Sequence, residues 1–148
     1  MGVLSELVIA DETDAPRVAE SDSPTREWDG IVWNTLDQIK LSSLWTILEG
    51  FAVDVNEVVR RVDHFRLLHE VSEHGPCVYA VPRKLRDLLA ELSAKEPEEL
   101  RGTIEAWAAT DELQGWESSE VKELLQSLVD LSDTATLEDK GMLLWICL

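Results

Sequence analysis

Three histidines and one cysteine are the side chains in this sequence with the clearest capacity for chemistry. His64, His69 and His74 recur every five residues, and Cys77 follows shortly after them. On a helix, a spacing of five turns neighbouring side chains about 140° apart, so these histidines do not share one face. A helical zinc site places two histidines four residues apart, as in HExxH, and the sequence lacks that pattern. We therefore predict no metal site and no cofactor.

Nucleophilic catalysis by Cys77 would require an imidazole beside its thiolate. His74 is close in the sequence, but Gly75 and Pro76 separate the two residues, and Cys77 falls in a predicted strand. The sequence also lacks a glycine-rich phosphate loop, a GxSxG motif and a DxDxDG calcium loop. We predict a non-enzymatic protein with no catalytic residues. The alternative is a small enzyme or ligand-binding domain whose pocket, between sheet and helices, uses His64, His69 or Cys77 with a nearby carboxylate.

The six tryptophans divide into two groups by their surroundings in the sequence. Trp45, Trp107 and Trp145 fall on apolar faces and are predicted to lie in the core. The other three lie in predicted loops, where an indole either packs as a lid on the core or is exposed as a binding anchor. These candidate binding residues are Trp28, Trp33 and Trp116.

The charge balance is strongly acidic: 13 Lys and Arg against 30 Asp and Glu give a formal charge of −17. The acidic excess is even along the chain, with no acidic tail and no basic lobe. Such a charge repels nucleic acid and anionic membranes, and it favours either a solvated surface or a basic protein partner. We expect a cytoplasmic monomer or weak dimer with reduced thiols, since the acidic start lacks a secretory leader pattern. An immunity-like or inhibitor-like protein, or an adaptor, fits these properties.

The last stretch of the chain, residues 141–148 (GMLLWICL), organises the predicted fold. This apolar run is too short to cross a bilayer, which takes about 20 residues, and too continuous for a half-exposed strand. It is typical of a buried central strand, whose side chains alternate between two faces that both need a covering layer.

The remaining segments are short strands and amphipathic helices. Residues 4–10 and 77–81 have strand composition, and residues 28–33 are predicted to be a loop. A capped helix is predicted from Asp54, with an apolar stripe reaching Val71 and an end at residues 74–76. A connection is predicted over residues 133–140. We predict one α+β domain over residues 1–148, with about six helices packed around about three short strands that include the C-terminal strand.

This order of segments resembles the YfbM-like family of uncharacterised bacterial proteins. The resemblance covers most of the chain and rests on four features of the sequence. They are LVIA (residues 7–10) before APRV (15–18), a helix with Lys40 and Trp45 that closes at Gly50, the pattern Tyr79-x-x-Pro82-x-x-Leu85, and the terminal KGMLLWI (140–146). The resemblance implies an α+β fold and a bacterial source, and it carries no established activity, so it assigns no functional residue.

Overall fold

The structure is a computed structural model that describes residues 3–148. Within these residues the chain forms six α-helices and one antiparallel sheet of five strands, which confirms the predicted α+β class. The strands are β1 (Leu4–Ala10), β2 (Gly30–Val32), β3 (Arg66–Glu70), β4 (Cys77–Ala80) and β5 (Gly141–Cys147). The helices are α1 (Ala15–Glu20), α2 (Gln38–Leu48), α3 (Val55–Val62), α4 (Arg83–Leu92), α5 (Pro97–Ala108) and α6 (Ser118–Leu137).

The C-terminal strand β5 lies at the centre of the sheet. The strand order is β2-β1-β5-β4-β3, so β5 pairs with β1 on one side and with β4 on the other. Its pairing with β1 runs from Ala10 opposite Gly141 to Leu4 opposite Cys147. Residues 142–146 are all buried, which confirms the predicted central position of this strand.

Side chains of the central strands alternate between two apolar layers. Leu7, Ile9 and Leu144 point to the face that α2, α4, α5 and α6 cover, and we call this the helical face. Val8 and Trp145 point to the opposite face, which α1 covers with Ala15, Val18 and Ala19, and we call this the α1 face. The alternation is the two-residue period of a strand, and it explains why the terminal run is apolar on both sides.

Strand β3 corrects the predicted helix over residues 54–71. Helix α3 ends at Val62, and residues 66–70 form an edge strand that makes a hairpin with β4. His74 and Gly75 lie in the hairpin loop, where the N–H of Val71 donates to the carbonyl oxygen of Pro76 at 3.0 Å. The open edge of β4 supplies a pairing partner, and this tertiary interaction outweighs the local helical spacing.

Strand β2 corrects the predicted loop over residues 28–33 and, with β3, raises the strand number from about three to five. Gly30 pairs with Val8, and Ile31 pairs with Leu7. A Cβ at position 30 would collide with the carbonyl oxygen of Leu7, so only glycine lets the two strands approach this closely. With three residues, β2 is too short to show a two-residue period in the sequence.

Two of three predicted helix ends agree with the structure, and the third does not. Gly50 follows α2 with φ of +84°, as expected of a left-handed helix end. Asp54 accepts the N–H of Glu57 at 2.8 Å and caps α3, as predicted. Helix α6 continues to Leu137, so the predicted connection over residues 133–140 is wrong for most of its length.

Candidate functional site

An open apolar groove is formed by α2, α3, the loop between them and the end of α5 with the segment that follows it. Its volume is about 850 Å³, and no strand contributes to it. Ligand sites in proteins usually measure about 300 to 1,000 Å³. We call this feature the apolar groove. Its apolar lining consists of Ile39, Ile47, Phe51, Ala52, Val53, Val55, Val58, Val59, Val62, Ala106 and Ala109.

One wall of the groove is the valine stripe of α3. Val55, Val58, Val59 and Val62 recur at helical spacing, and Val58 packs into the protein. Val55 and Val59 point outward instead, with 77% and 54% of their surface exposed. An isolated exposed valine needs no explanation, but a contiguous apolar cluster of this kind marks an interaction surface.

The opposite side and the floor come from α2 and the loop that follows it. Ile39 and Phe51 line the groove and are both exposed, although each is a large apolar side chain. Ala106 and Ala109 from the end of α5 complete the lining with small side chains. The lining that α2, α3 and the end of α5 provide is therefore apolar.

The polar groups of the groove are acidic. Asp54, Asp111 and Glu112 line it, and among residues 3–148 no Lys or Arg does. None of these three carboxylates forms an ion pair with a described residue. The hydroxyl of Thr110 also lines the groove, but it donates to the carbonyl oxygen of Trp107 at 2.7 Å. Apolar walls beside unpaired carboxylates suit binding of a cationic, amphipathic molecule better than bond-breaking chemistry.

Arg61 holds α3 against α2 and so fixes the shape of the groove. Its Nε and Nη2 donate to Glu49 Oε1 at 3.0 and 2.9 Å, and its Nη1 donates to Glu57 Oε2 at 2.7 Å. The guanidinium also lies over the rings of Trp45 and Phe51, at 5.7 and 5.4 Å from their centroids. Burial works to lower the pKa of Arg61, but hydrogen bonds and charge attraction from Glu57 and Glu49 raise it above its ordinary value.

The three tryptophans proposed as binding residues are partly buried and lie outside the apolar groove. Trp28 packs on the α1 face, where the guanidinium of Arg17 lies 5.3 Å from its ring centroid. Trp33 and Trp116 pack against the helical face. The sheet thus separates Trp28 from the other two, and the three indoles do not form one surface. Trp45, Trp107 and Trp145 lie in the core, as predicted.

The alternative pocket residues are not brought together either. His64 is exposed just after α3, and its ring meets Trp45 edge-on with centroids 5.8 Å apart. On the β3–β4 hairpin, His69 lies opposite Val78 and Cys77 lies opposite Glu70. Successive strand residues point to opposite faces, so His69 and Cys77 project on opposite sides of the sheet.

Cys77 lines a smaller cavity of about 350 Å³ together with Tyr79, Asp37, Glu70 and Glu73. Its pKa is raised, chiefly because burial disfavours the thiolate, and the charge of Glu70 adds to the rise while a hydrogen bond with Tyr79 opposes it. A thiol with a raised pKa stays protonated near neutral pH and is a poor nucleophile.

Cys77 and Cys147 are both free thiols. Cys77 is paired with Ile146, the residue before Cys147, so the two sulfur atoms belong to opposite faces of the sheet. Within the described chain, no group of three His, Cys, Asp or Glu side chains is arranged to hold a metal ion. Across residues 3–148, none of the helices has both the length and the apolar composition needed to cross a bilayer.

The sequence interpretation missed the groove residues Ile39, Phe51, Val55 and Val59. It gave the valines of α3 to an apolar stripe and singled out neither Ile39 nor Phe51. The signal that could have found them was an excess of apolar side chains around one short helix, since Phe51, Ala52 and Val53 precede a helix that already has a complete stripe. More apolar surface is present there than one helix can bury.

Comparisons with protein-family models, with curated proteins and with solved structures found no match to this chain. The resemblance to the YfbM-like family therefore stays a prediction that rests on the quoted sequence features. The site is interpreted from its own geometry and chemistry.

Proposed function

We propose that this chain is a non-enzymatic interaction protein that binds a basic protein partner through the apolar groove. The observation that carries the proposal is the combination of exposed apolar walls with three carboxylates that form no ion pair with a described residue, of which Asp54 also caps α3. An immunity-like or inhibitor-like protein is one form of this function, and an adaptor is another. We further propose that it acts in the cytoplasm as a monomer or weak dimer.

The apolar walls would supply most of the binding free energy. Covering an exposed valine removes apolar surface from water, which contributes about 1 kcal/mol for a side chain that is already partly buried. Val55, Val59, Ile39 and Phe51 are all exposed in the free protein. A partner that covers these four side chains together would gain several such contributions at one site.

The acidic charge would supply selectivity and fast association. The formal charge of −17 creates an attractive field for a basic protein, and the groove carboxylates extend that field to the apolar contact itself. This interaction weakens as salt is added, because the screening length falls to a few ångströms at about 0.5 M salt. Nucleic acid and anionic membranes would be repelled by the same field.

A pull-down with three forms of the protein tests the proposal. The forms are the unmodified chain, the double variant Val55→Asp and Val59→Asp, and the control Leu137→Asp, which changes a side chain 81% exposed on α6 and outside the groove. We expect the unmodified chain and the control to capture the same basic protein at about 0.05 M salt, and less of it at about 0.5 M. Capture by the groove variant should be lost.

Two outcomes would contradict the proposal. One is a capture pattern that the groove variant and the control share, which would place binding elsewhere on the surface. The other is capture that is equally strong at both salt concentrations, which would remove the electrostatic part. Circular dichroism of the three forms checks that each is folded, as expected for changes at exposed positions.

A further inference from the structure

We infer that the apolar groove receives a single amphipathic helix with basic residues beside its apolar stripe. This inference rests on the proposed function and adds the structural class and the chemistry of the bound segment. Three properties of the groove support it: the absence of a sheet edge from its lining, the spacing of its valines and the sign of its charges.

The walls of the groove offer no sheet edge to a partner. They are α-helices and short connections, and strands β2 and β3, which form the two edges of the sheet, do not line the groove. An extended peptide that adds to a protein by strand pairing needs such an edge, because main-chain hydrogen bonds provide its affinity. The bound segment must therefore satisfy its own backbone groups, and a helix does so.

The open side of α3 has the spacing that a second helix recognises. Val55 and Val59 are four residues apart, so their side chains form a ridge along one face of α3. Ridges of this kind pack into the groove of a neighbouring helix. The eight residues of α3 extend about 12 Å, which corresponds to about two turns of a partner helix. A partner stripe at positions i, i+4 and i+7 would cover it.

The charges of the groove select a cationic helix over an acidic or neutral one. Asp54, Asp111 and Glu112 line the groove, and no basic side chain among residues 3–148 is there to neutralise them. Lys or Arg flanking the apolar stripe of a partner would lie near these carboxylates. A second copy of this chain would bring the same carboxylates and a further charge of −17, so charge repulsion disfavours self-association at this surface.

The test uses a synthetic peptide of about 14 residues, long enough to form a helix on binding, with Leu at i, i+4, i+7 and i+11 and Lys elsewhere. Two matched peptides serve as controls: a scrambled one with the same composition, and one with Glu in place of Lys. Fluorescence anisotropy gives the dissociation constant, and far-ultraviolet circular dichroism reports helix formation. We expect the stripe peptide to bind as a helix, at least about tenfold more tightly than either control.

Variants of the protein locate the binding. The double variant Val55→Asp and Val59→Asp should weaken binding of the stripe peptide at least about tenfold, whereas Leu137→Asp should leave it unchanged. The double variant Asp111→Asn and Glu112→Gln keeps the shape of the groove and removes two charges, so it should weaken binding and reduce its salt dependence.

The inference is overturned if the scrambled peptide binds as tightly as the stripe peptide, or if the groove variant binds as well as the unmodified chain. Self-association in sedimentation experiments that the groove variant abolishes would overturn it in favour of a second copy. A groove-dependent partner in the pull-down, without preference for the stripe peptide, would refute the helix and leave the proposed function standing. Loss of groove dependence in the pull-down itself would refute the proposed function.

Discussion

At the scale of single residues, Arg61 shows how a buried charge shapes an apolar surface. Its side chain is 5% exposed and donates to two carboxylates on either side, Glu49 after α2 and Glu57 within α3. Removing it would leave Glu49 with only Lys84, at 3.7 Å, and Glu57 with only the exposed Arg60, at the junction that supports Phe51. The buried guanidinium of Arg61 thus supports the groove from within the protein and is not available to a ligand.

Arg61→Ala is expected to lower the free energy of unfolding by about 3 kcal/mol, because it removes a buried ion pair and leaves the two carboxylates with only exposed basic partners. The neighbouring Arg60 is the matched control, since its side chain is 63% exposed. Arg60→Ala should cost less than about 0.5 kcal/mol, as is usual for surface ion pairs. Urea denaturation of both variants measures the difference, and equal losses would show that Arg61 does not hold the two helices together.

Cys77 provides a pH-dependent prediction at the same scale. In a Cys147→Ser background, Cys77 is the sole thiol of the two-cysteine chain. Because burial raises its pKa, its reaction with iodoacetamide near neutral pH should be slower in the folded protein than in urea. The rate in the folded protein should level off at a higher pH than the rate in urea, which levels off above the ordinary thiol pKa of about 8.5. Faster labelling of the folded form near neutral pH would instead indicate an activated thiolate.

The same shift has a consequence for stability. The folded pKa of Cys77 lies above the unfolded one, so the stabilising contribution is present in full below about pH 8.5 and is lost as the pH rises through the folded pKa. In the Cys147→Ser background, the free energy of unfolding should fall in that alkaline range. The fall should be smaller when Cys77→Ser is added.

At the scale of elements, close approach of backbones defines the position of β2. A side chain at position 30 would meet the carbonyl oxygen of Leu7 and Cγ1 of Val8, so β2 could not keep its register on β1. We expect Gly30→Ala to destabilise the protein by about 1 to 3 kcal/mol through this overpacking.

Gly102 is the matched control for Gly30, because it lies in α5, where an added Cβ would have open space around it. Gly102→Ala should stabilise the protein by about 0.5 to 1 kcal/mol, since alanine favours the helix. Thermal unfolding of both variants gives the comparison. A Gly30→Ala protein as stable as the unmodified chain would show that β2 does not pack on β1 as described.

The sequence pattern correctly predicted structural features that depend only on residues close together in the chain. The apolar run ending at Cys147, the Asp54 cap and the glycine after α2 each depend on a few neighbouring residues. Strands β2 and β3 do not, because each exists only as a partner to another strand. The three-residue spacing of Val62, Phe65 and Leu68 is helical, yet α3 ends at Val62 and Leu68 lies in β3. Hydrogen-bonded pairing with neighbouring strands therefore determines the secondary structure of β2 and β3, which the periodicity of their sequences did not predict.

At the scale of the whole molecule, the proposed function combines the acidic charge with the apolar groove. Composition predicted attraction to a basic partner, and the positions of Trp28, Trp33 and Trp116 in predicted loops made them the candidate binding residues. The groove arises where α2, α3 and the end of α5 meet, and such a junction depends on tertiary packing that single-sequence spacing does not encode. The side chains that line the groove are of common types. What distinguishes them is that several large apolar side chains are exposed next to each other.

The contact of a basic partner with the apolar groove is tested most directly by site-specific photo-crosslinking. A benzophenone side chain is placed at position 55 in the groove or, as a control, at position 137 on α6, both highly exposed. On irradiation in cell extract, we predict one basic protein joined at position 55 and not at position 137, with a yield that falls as salt is added. The same products at both positions, or none at position 55, would contradict the account.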